Sequence, residues 1–71
     1  MNIRQTIRNC REKKGCSLAK LSEKTGYTPR ALEYWESGEH RISLEAADRI
    51  LTALGYRIEI VINQNAEDIK E

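Results

Sequence analysis

A chain of 71 residues holds one domain at most, and its core is small enough that pairing with a second copy would add to its stability. With 32% charged residues there is no apolar run of membrane-spanning length, and the opening MNIRQTIRNCREKKG lacks the apolar stretch of a secretory signal, so the expected location is the cytoplasm. A net charge of +1 excludes a uniformly basic protein, and two cysteines with one histidine, His40, exclude a disulfide scaffold and match no metal-ligand spacing.

Ile3, Ile7 and Cys10 recur at helical spacing with charges between them, which predicts an amphipathic helix over about 3–14, stopped by Gly15. Ser17 is placed to cap a second helix with Leu18 and Leu21 on its apolar face, and Gly26 ends it. Thr28 is a good N-cap, Pro29 suits a first helical position that needs no N–H, and Tyr27 and Leu32 occupy the two positions of a hydrophobic staple. Together they predict a third helix over about 29–37, closed by Gly38. Ser43 caps a fourth, with Glu45 at the positive end of its dipole and Leu44, Ala47, Ile50, Leu51 and Leu54 on its apolar face; Gly55 ends it.

The period then changes. Tyr56, Ile58, Ile60 and Ile62 alternate with Arg57, Glu59 and Val61, which predicts a strand over 56–62. Residues 63–71 read as a polar, acidic tail. Residues 1–41 carry nine Lys or Arg against five acids, whereas residues 42–71 carry three against six. A module that turns only its first part towards a polyanion has this asymmetry.

Two short helices joined by a tight glycine turn make a helix-turn-helix, whose second helix can enter a major groove. The chain from about Ile3 to Gly55 resembles the Cro/repressor-type (XRE) helix-turn-helix family. Ile7-Arg8-x-x-Arg11-Glu12-x-x-Gly15 is similar to the family's first helix, and Ser17-x-x-x-Leu21-x-x-x-x-Gly26 to its second helix and turn. Leu32-x-x-Trp35-Glu36-x-Gly38 resembles the end of its recognition helix, and Ser43-Leu44-Glu45 with Ala53-Leu54-Gly55 its fourth helix.

The resemblance implies base contacts from Pro29, Arg30, Glu33 and Tyr34, and phosphate contacts from Ser17, Leu18, Thr28, Ser37, His40 and Arg41. It also implies an ion pair between Arg11 and Glu36 that joins the first and third helices, while Trp35 reads as a core residue. The sequence departs from the family in places. Leu18 stands where Gln is usual, so only backbone amides remain there for a phosphate. Ser22 replaces a usual Ala where the helices touch, and Pro29 offers only apolar contact, as to a thymine methyl. Cys10 and Cys16 stand where Leu is frequent, in keeping with small core residues, and the strand replaces a fifth helix.

The expected fold is all-α: a four-helix helix-turn-helix domain over 1–55, a dimerisation strand over 56–62 and the tail over 63–71. A lone strand leaves its backbone groups unpaired, so the expectation is antiparallel pairing with the same strand of a second copy through Tyr56, Ile58, Ile60 and Ile62. That apolar face would rest on Leu51 and Leu54, with Arg57 of one chain near Glu59 of the other. No nucleophile–base pair, phosphate loop or metal cluster is visible, so the expectation is no enzyme, no cofactor and no metal.

The expected partner is double-stranded DNA with a palindromic operator, bound by a homodimeric transcriptional repressor. The strand after the fourth helix resembles the arrangement in HipB-type antitoxins, which adds autoregulation and a toxin partner as a narrower expectation. The rival reading keeps the fold as a protein-interaction module, because Leu18, Pro29, Glu33 and the low net charge all weaken the case for DNA.

Overall fold

Asn2 starts the first helix: its side chain accepts a hydrogen bond from the Gln5 amide at 3.3 Å, satisfying one of the donors that a helix leaves free at its N-terminus. In the computed structural model, which describes residues 2–62, this helix, α1, spans Ile3–Lys13. Helix α2 spans Leu18–Thr25, with Ser17 Oγ accepting from the Lys20 amide at 3.1 Å. Helix α3 spans Pro29–Ser37, with Thr28 Oγ1 accepting from the Ala31 amide at 3.1 Å and Pro29 in its first turn. Helix α4 spans Leu44–Ala53, with Ser43 Oγ accepting from the Ala46 amide at 3.0 Å. Gly26 closes α2 at φ +84°, in the left-handed region that a side chain penalises, so the chain reverses within three residues between α2 and α3.

Every helix contributes to one core. Ile7 comes from α1, Leu21 from α2, Leu32 from α3, and Ala47, Ile50 and Leu51 from α4, with Leu54 just beyond its end. Helix α1 packs on α3 and α4, and so does α2, which leaves the outer side of α3 uncovered. Tyr27, Trp35, Cys10 and Cys16 pack around this core half-buried, and both cysteines are free. The one buried polar residue among those described, Thr25, donates its hydroxyl to the Leu21 carbonyl at 2.8 Å and accepts from the Tyr27 amide at 3.2 Å. Both hydrogen-bonding functions of its hydroxyl are used, which offsets the cost of removing it from water.

The segment expected to be a strand differs. Among the described residues there is no strand, and 56–62 runs on from α4 without ladder bonds. A strand exists by pairing, and the described residues hold no second extended segment paired with this one. Only Tyr56 packs against the core, anchored by its amide donating to the Leu51 carbonyl at 2.8 Å. Ile58 is 37% exposed, and Ile60 and Ile62 are 99% and 87% exposed, so the alternate apolar face does not rest on Leu51 and Leu54 as a whole. Arg57 Nη2 lies 3.5 Å from Glu59 Oε1 of the same chain, where the expectation set the pair between two copies. Residues i and i+2 share a side in an extended run, which makes this local pairing available. The expected tail, 63–71, lies outside the described residues. Among the described residues no helix is long and apolar enough to cross a membrane.

Candidate nucleic-acid interface

The turn between α2 and α3 is held on all sides. Ser22, half-buried, donates its hydroxyl to the Tyr27 carbonyl, and Thr25 holds the Tyr27 amide. The Tyr27 ring meets Trp35 edge to face, with centroids 5.0 Å apart and planes at 88°, and the Arg49 guanidinium lies 5.6 Å from the same ring. Ser22 thus takes the place of the usual small apolar contact and adds a hydrogen bond. The angle between α2 and α3 is thereby fixed by side chains from α2, α3 and α4.

On the outer side of α3, Arg30, Glu33, Tyr34 and Ser37 fall at helical spacing on one face, with Pro29 at its start. Pro29, Arg30, Glu33 and Ser37 are exposed and Tyr34 is half-buried. Among the described residues no carboxylate lies within ion-pair distance of Arg30 or of the exposed Arg41. The Arg30 guanidinium lies 5.7 Å from the Tyr34 ring centroid, and the His40 ring lies 4.6 Å from it. Arg30 in the first turn of α3, Tyr34 one turn further and His40 beyond its end therefore form one cluster along the outer face.

Ser37 is engaged: its hydroxyl donates to the Tyr34 carbonyl at 3.1 Å and accepts from the Glu39 amide at 3.3 Å. Ser17 and Thr28 also spend their oxygens as caps. At the start of α2 the Ser17 oxygen takes up only the Lys20 amide, and the Leu18 side chain turns towards the core. Leu18, Glu33 and Ser37 line a common hollow of about 240 Å³ with Arg8, Arg11 and Glu36, so the start of α2 stands beside the outer face of α3. The N-terminal amides of α2 carry the positive end of its dipole to that place.

Beneath the hollow, Arg11 and Glu36 make a two-pronged pair, Nε to Oε2 at 2.7 Å and Nη2 to Oε1 at 2.9 Å. Arg11 Nη1 donates in addition to the Cys16 carbonyl at 2.9 Å, and Arg8 Nε lies 3.9 Å from Glu36 Oε1. The side chains are only 14% and 8% exposed. The hydrogen bond to Glu36 holds the Arg11 guanidinium above its usual pKa, against the opposing effect of burial. This pair fixes α3 to α1 and to the turn before α2.

Two contributors were not anticipated. Asn2 caps α1, and an Asn directly before an amphipathic run is a readable cap signal. Arg4 Nη1 donates to the Ser37 carbonyl at 3.0 Å, at the far end of α3. A base in the first turn of its own helix is unfavourably placed in that helix's dipole, and the C-terminal carbonyl of α3 gives it a favourable one.

A helix, a locked three-residue turn and a second helix with one polar face uncovered define a helix-turn-helix DNA-binding domain. A family model described as helix-turn-helix matches residues 7–61, and the chain belongs to this family, the XRE-type helix-turn-helix proteins, which are DNA-binding regulators of transcription. Neither the curated proteins nor the solved structures contained a match to the chain.

Proposed function

We propose that the chain is a sequence-specific repressor that binds a palindromic duplex as a homodimer and acts by occupying it. The observation that carries this reading is the uncovered outer face of α3, where Arg30 is exposed and has no carboxylate partner among the described residues. In this reading α3 enters the major groove and Arg30 donates two hydrogen bonds to a guanine, with Pro29, Glu33 and Tyr34 beside it. Arg41, His40, the hydroxyls of Thr28 and Ser17, which only accept in their caps, and the backbone amide of Leu18 flank that face and meet phosphates, whereas the Ser37 hydroxyl is already given to the Tyr34 carbonyl.

The dimer is supported by an apolar strip that one chain leaves in water: Leu44 is 73% exposed, Ile60 99% and Ile62 87%. Antiparallel pairing of 56–62 with a second copy would cover it and satisfy the free backbone groups. The same strip favours a second reading, in which an edge-pairing partner protein such as a toxin covers it and the chain is an autoregulating antitoxin.

The test is binding to duplexes that the purified chain recovers from a randomised library, measured at several salt concentrations. A dimer that neutralises about 4–8 phosphates gives a slope of log K against log salt of about −4 to −7. A slope near zero removes DNA from the reading and leaves the interaction module.

A further inference from the structure

Tyr34 stands among residues placed to read bases, yet its surroundings suit a different task. Its ring carries two neighbours: the His40 ring, 4.6 Å away centroid to centroid and tilted by 32°, and the Arg30 guanidinium, 5.7 Å from the centroid. The approach of His40 is built into the backbone. The His40 amide donates to the Tyr34 carbonyl at 3.3 Å, and Ser37 Oγ donates to the same carbonyl at 3.1 Å. Gly38, at φ +82°, turns the chain back along α3, and Arg4 holds the Ser37 carbonyl just before it. The 38–40 segment is thereby folded against the end of α3 with its ring on the Tyr34 ring.

Arg30 lies one helical turn before Tyr34 on the same face. At 5.7 Å from the ring centroid the guanidinium is within cation–π range of the Tyr34 ring. Its N–H donors lie in its plane and stay free for a two-pronged bond to guanine O6 and N7. An exposed arginine without such a support samples many rotamers, and binding must select one of them. Tyr34 can restrict that freedom before DNA arrives.

We infer that Tyr34 is a positioning residue for Arg30, with His40 holding the ring in place, and that this stack sets the specificity at the base pair Arg30 reads. The inference rests on the DNA-binding reading above. Its discriminating feature is that the Tyr34 ring matters and the Tyr34 hydroxyl does not.

The experiment compares the purified wild-type chain with Tyr34→Phe, Tyr34→Leu, Arg30→Ala and the double variant Arg30→Ala/Tyr34→Leu, after melting curves establish that each is folded. In the free proteins, NMR reads the Arg30 side-chain and His40 ring protons. The Tyr34 ring current displaces them in the wild type and in Tyr34→Phe, and the displacement vanishes in Tyr34→Leu. Binding is then measured to the duplex the wild-type chain recovers from a randomised library and to each of its single-base-pair variants. Tyr34→Phe keeps wild-type discrimination, whereas Tyr34→Leu loses about two- to fivefold, the range expected of an exposed cation–π contact. The loss falls on the same base pair that Arg30→Ala affects, and the double variant is no worse there than Arg30→Ala alone.

Equal loss in Tyr34→Phe and Tyr34→Leu would make the hydroxyl a base reader and overturn the inference. So would losses at different base pairs, additive losses, or free-protein spectra without the ring-current displacement. Failure of the wild-type chain to recover any duplex overturns the DNA reading and the specificity role with it; the free-protein spectra then report separately whether the stack itself exists.

Discussion

Arg30 and Arg41 are both exposed bases near α3, but they differ in direction along the molecule. Arg30 projects from the first turn of α3 on its outer face, and Arg41 lies in the loop beyond its end. Arg30→Ala is expected to cost about 1–3 kcal/mol of discrimination at one base pair. Arg41→Ala is expected to weaken all duplexes alike and to reduce the salt slope by about 1. Competition binding across single-base variants separates the two, and identical behaviour would refute the division into base and phosphate contacts. Glu36 poses the structural question at the same scale. With its side chain 8% exposed and its partner Arg11 at 2.7 Å, Glu36→Ala strands a largely covered guanidinium. We expect a stability loss of about 1–3 kcal/mol by denaturant titration, and an unchanged midpoint would show that the pair contributes nothing. The pH dependence has a definite sign. A guanidinium held above its usual pKa adds stability at every pH below its unfolded value and loses it only as pH rises through the folded one. Arg11 therefore introduces no pH dependence near neutrality.

At the scale of elements, α3 is short and is held at both ends by other parts of the chain. Thr28 and Pro29 fix its start, and Arg4 of α1 and Gly38 fix its end. Gly38 is constrained twice, because its φ is +82° and a Cβ there would overlap the Arg4 guanidinium. Gly38→Ala is accordingly expected to destabilise by about 1–2 kcal/mol from the left-handed backbone alone. The overlap also displaces Arg4 from the Ser37 carbonyl, so thermal melting of Gly38→Ala, Arg4→Ala and the double variant should give non-additive losses. Full additivity would show that the two residues act independently. The capping serines and threonine were legible in advance because an N-cap is a local matter of one side chain and an amide three residues on, as the Ser17, Thr28 and Ser43 bonds illustrate. The Arg4 contact spans 33 positions, and nothing near Arg4 in the chain could specify its acceptor.

At the scale of the whole molecule, the strip formed by Leu44, Ile60 and Ile62 is left for a second chain to cover. Ile60 is 99% exposed and contributes nothing to the core, so Ile60→Asp leaves the four helices intact. If the strip pairs two copies, this variant sediments as a folded monomer with a wild-type helical spectrum and binds a palindrome poorly. The two recognition helices of the intact dimer would then sit about 34–36 Å apart, one helical turn of DNA. A wild-type chain that sediments as a monomer would favour the partner protein instead, and a folded Ile60→Asp chain that remains dimeric would place the dimer contact elsewhere.

The four helices, the Ser17, Thr28 and Ser43 caps and most of the core were legible in the sequence alone, because each depends on spacing over three or four residues: Ile7 and Leu21 face inward by their period, and Ser43 caps by its position. Leu44, expected on the apolar face of α4, is instead 73% exposed, because it sits at the first position of the helix, where nothing among the described residues packs over it. The alternation of 56–62 was equally clear as a pattern, yet a strand is a relation between two segments, and among the described residues none is paired with this one. Tertiary structure alone decided the rest. It brought the start of α2 beside the face of α3 across the Leu18, Glu33 and Ser37 hollow, set Arg4 on the end of α3, and folded His40 onto Tyr34. The first two join residues whose separation in the chain carries no period, so only the packing of the helices around their shared core could place them, whereas His40 is set on Tyr34 by the Gly38 turn and the backbone bonds that close α3.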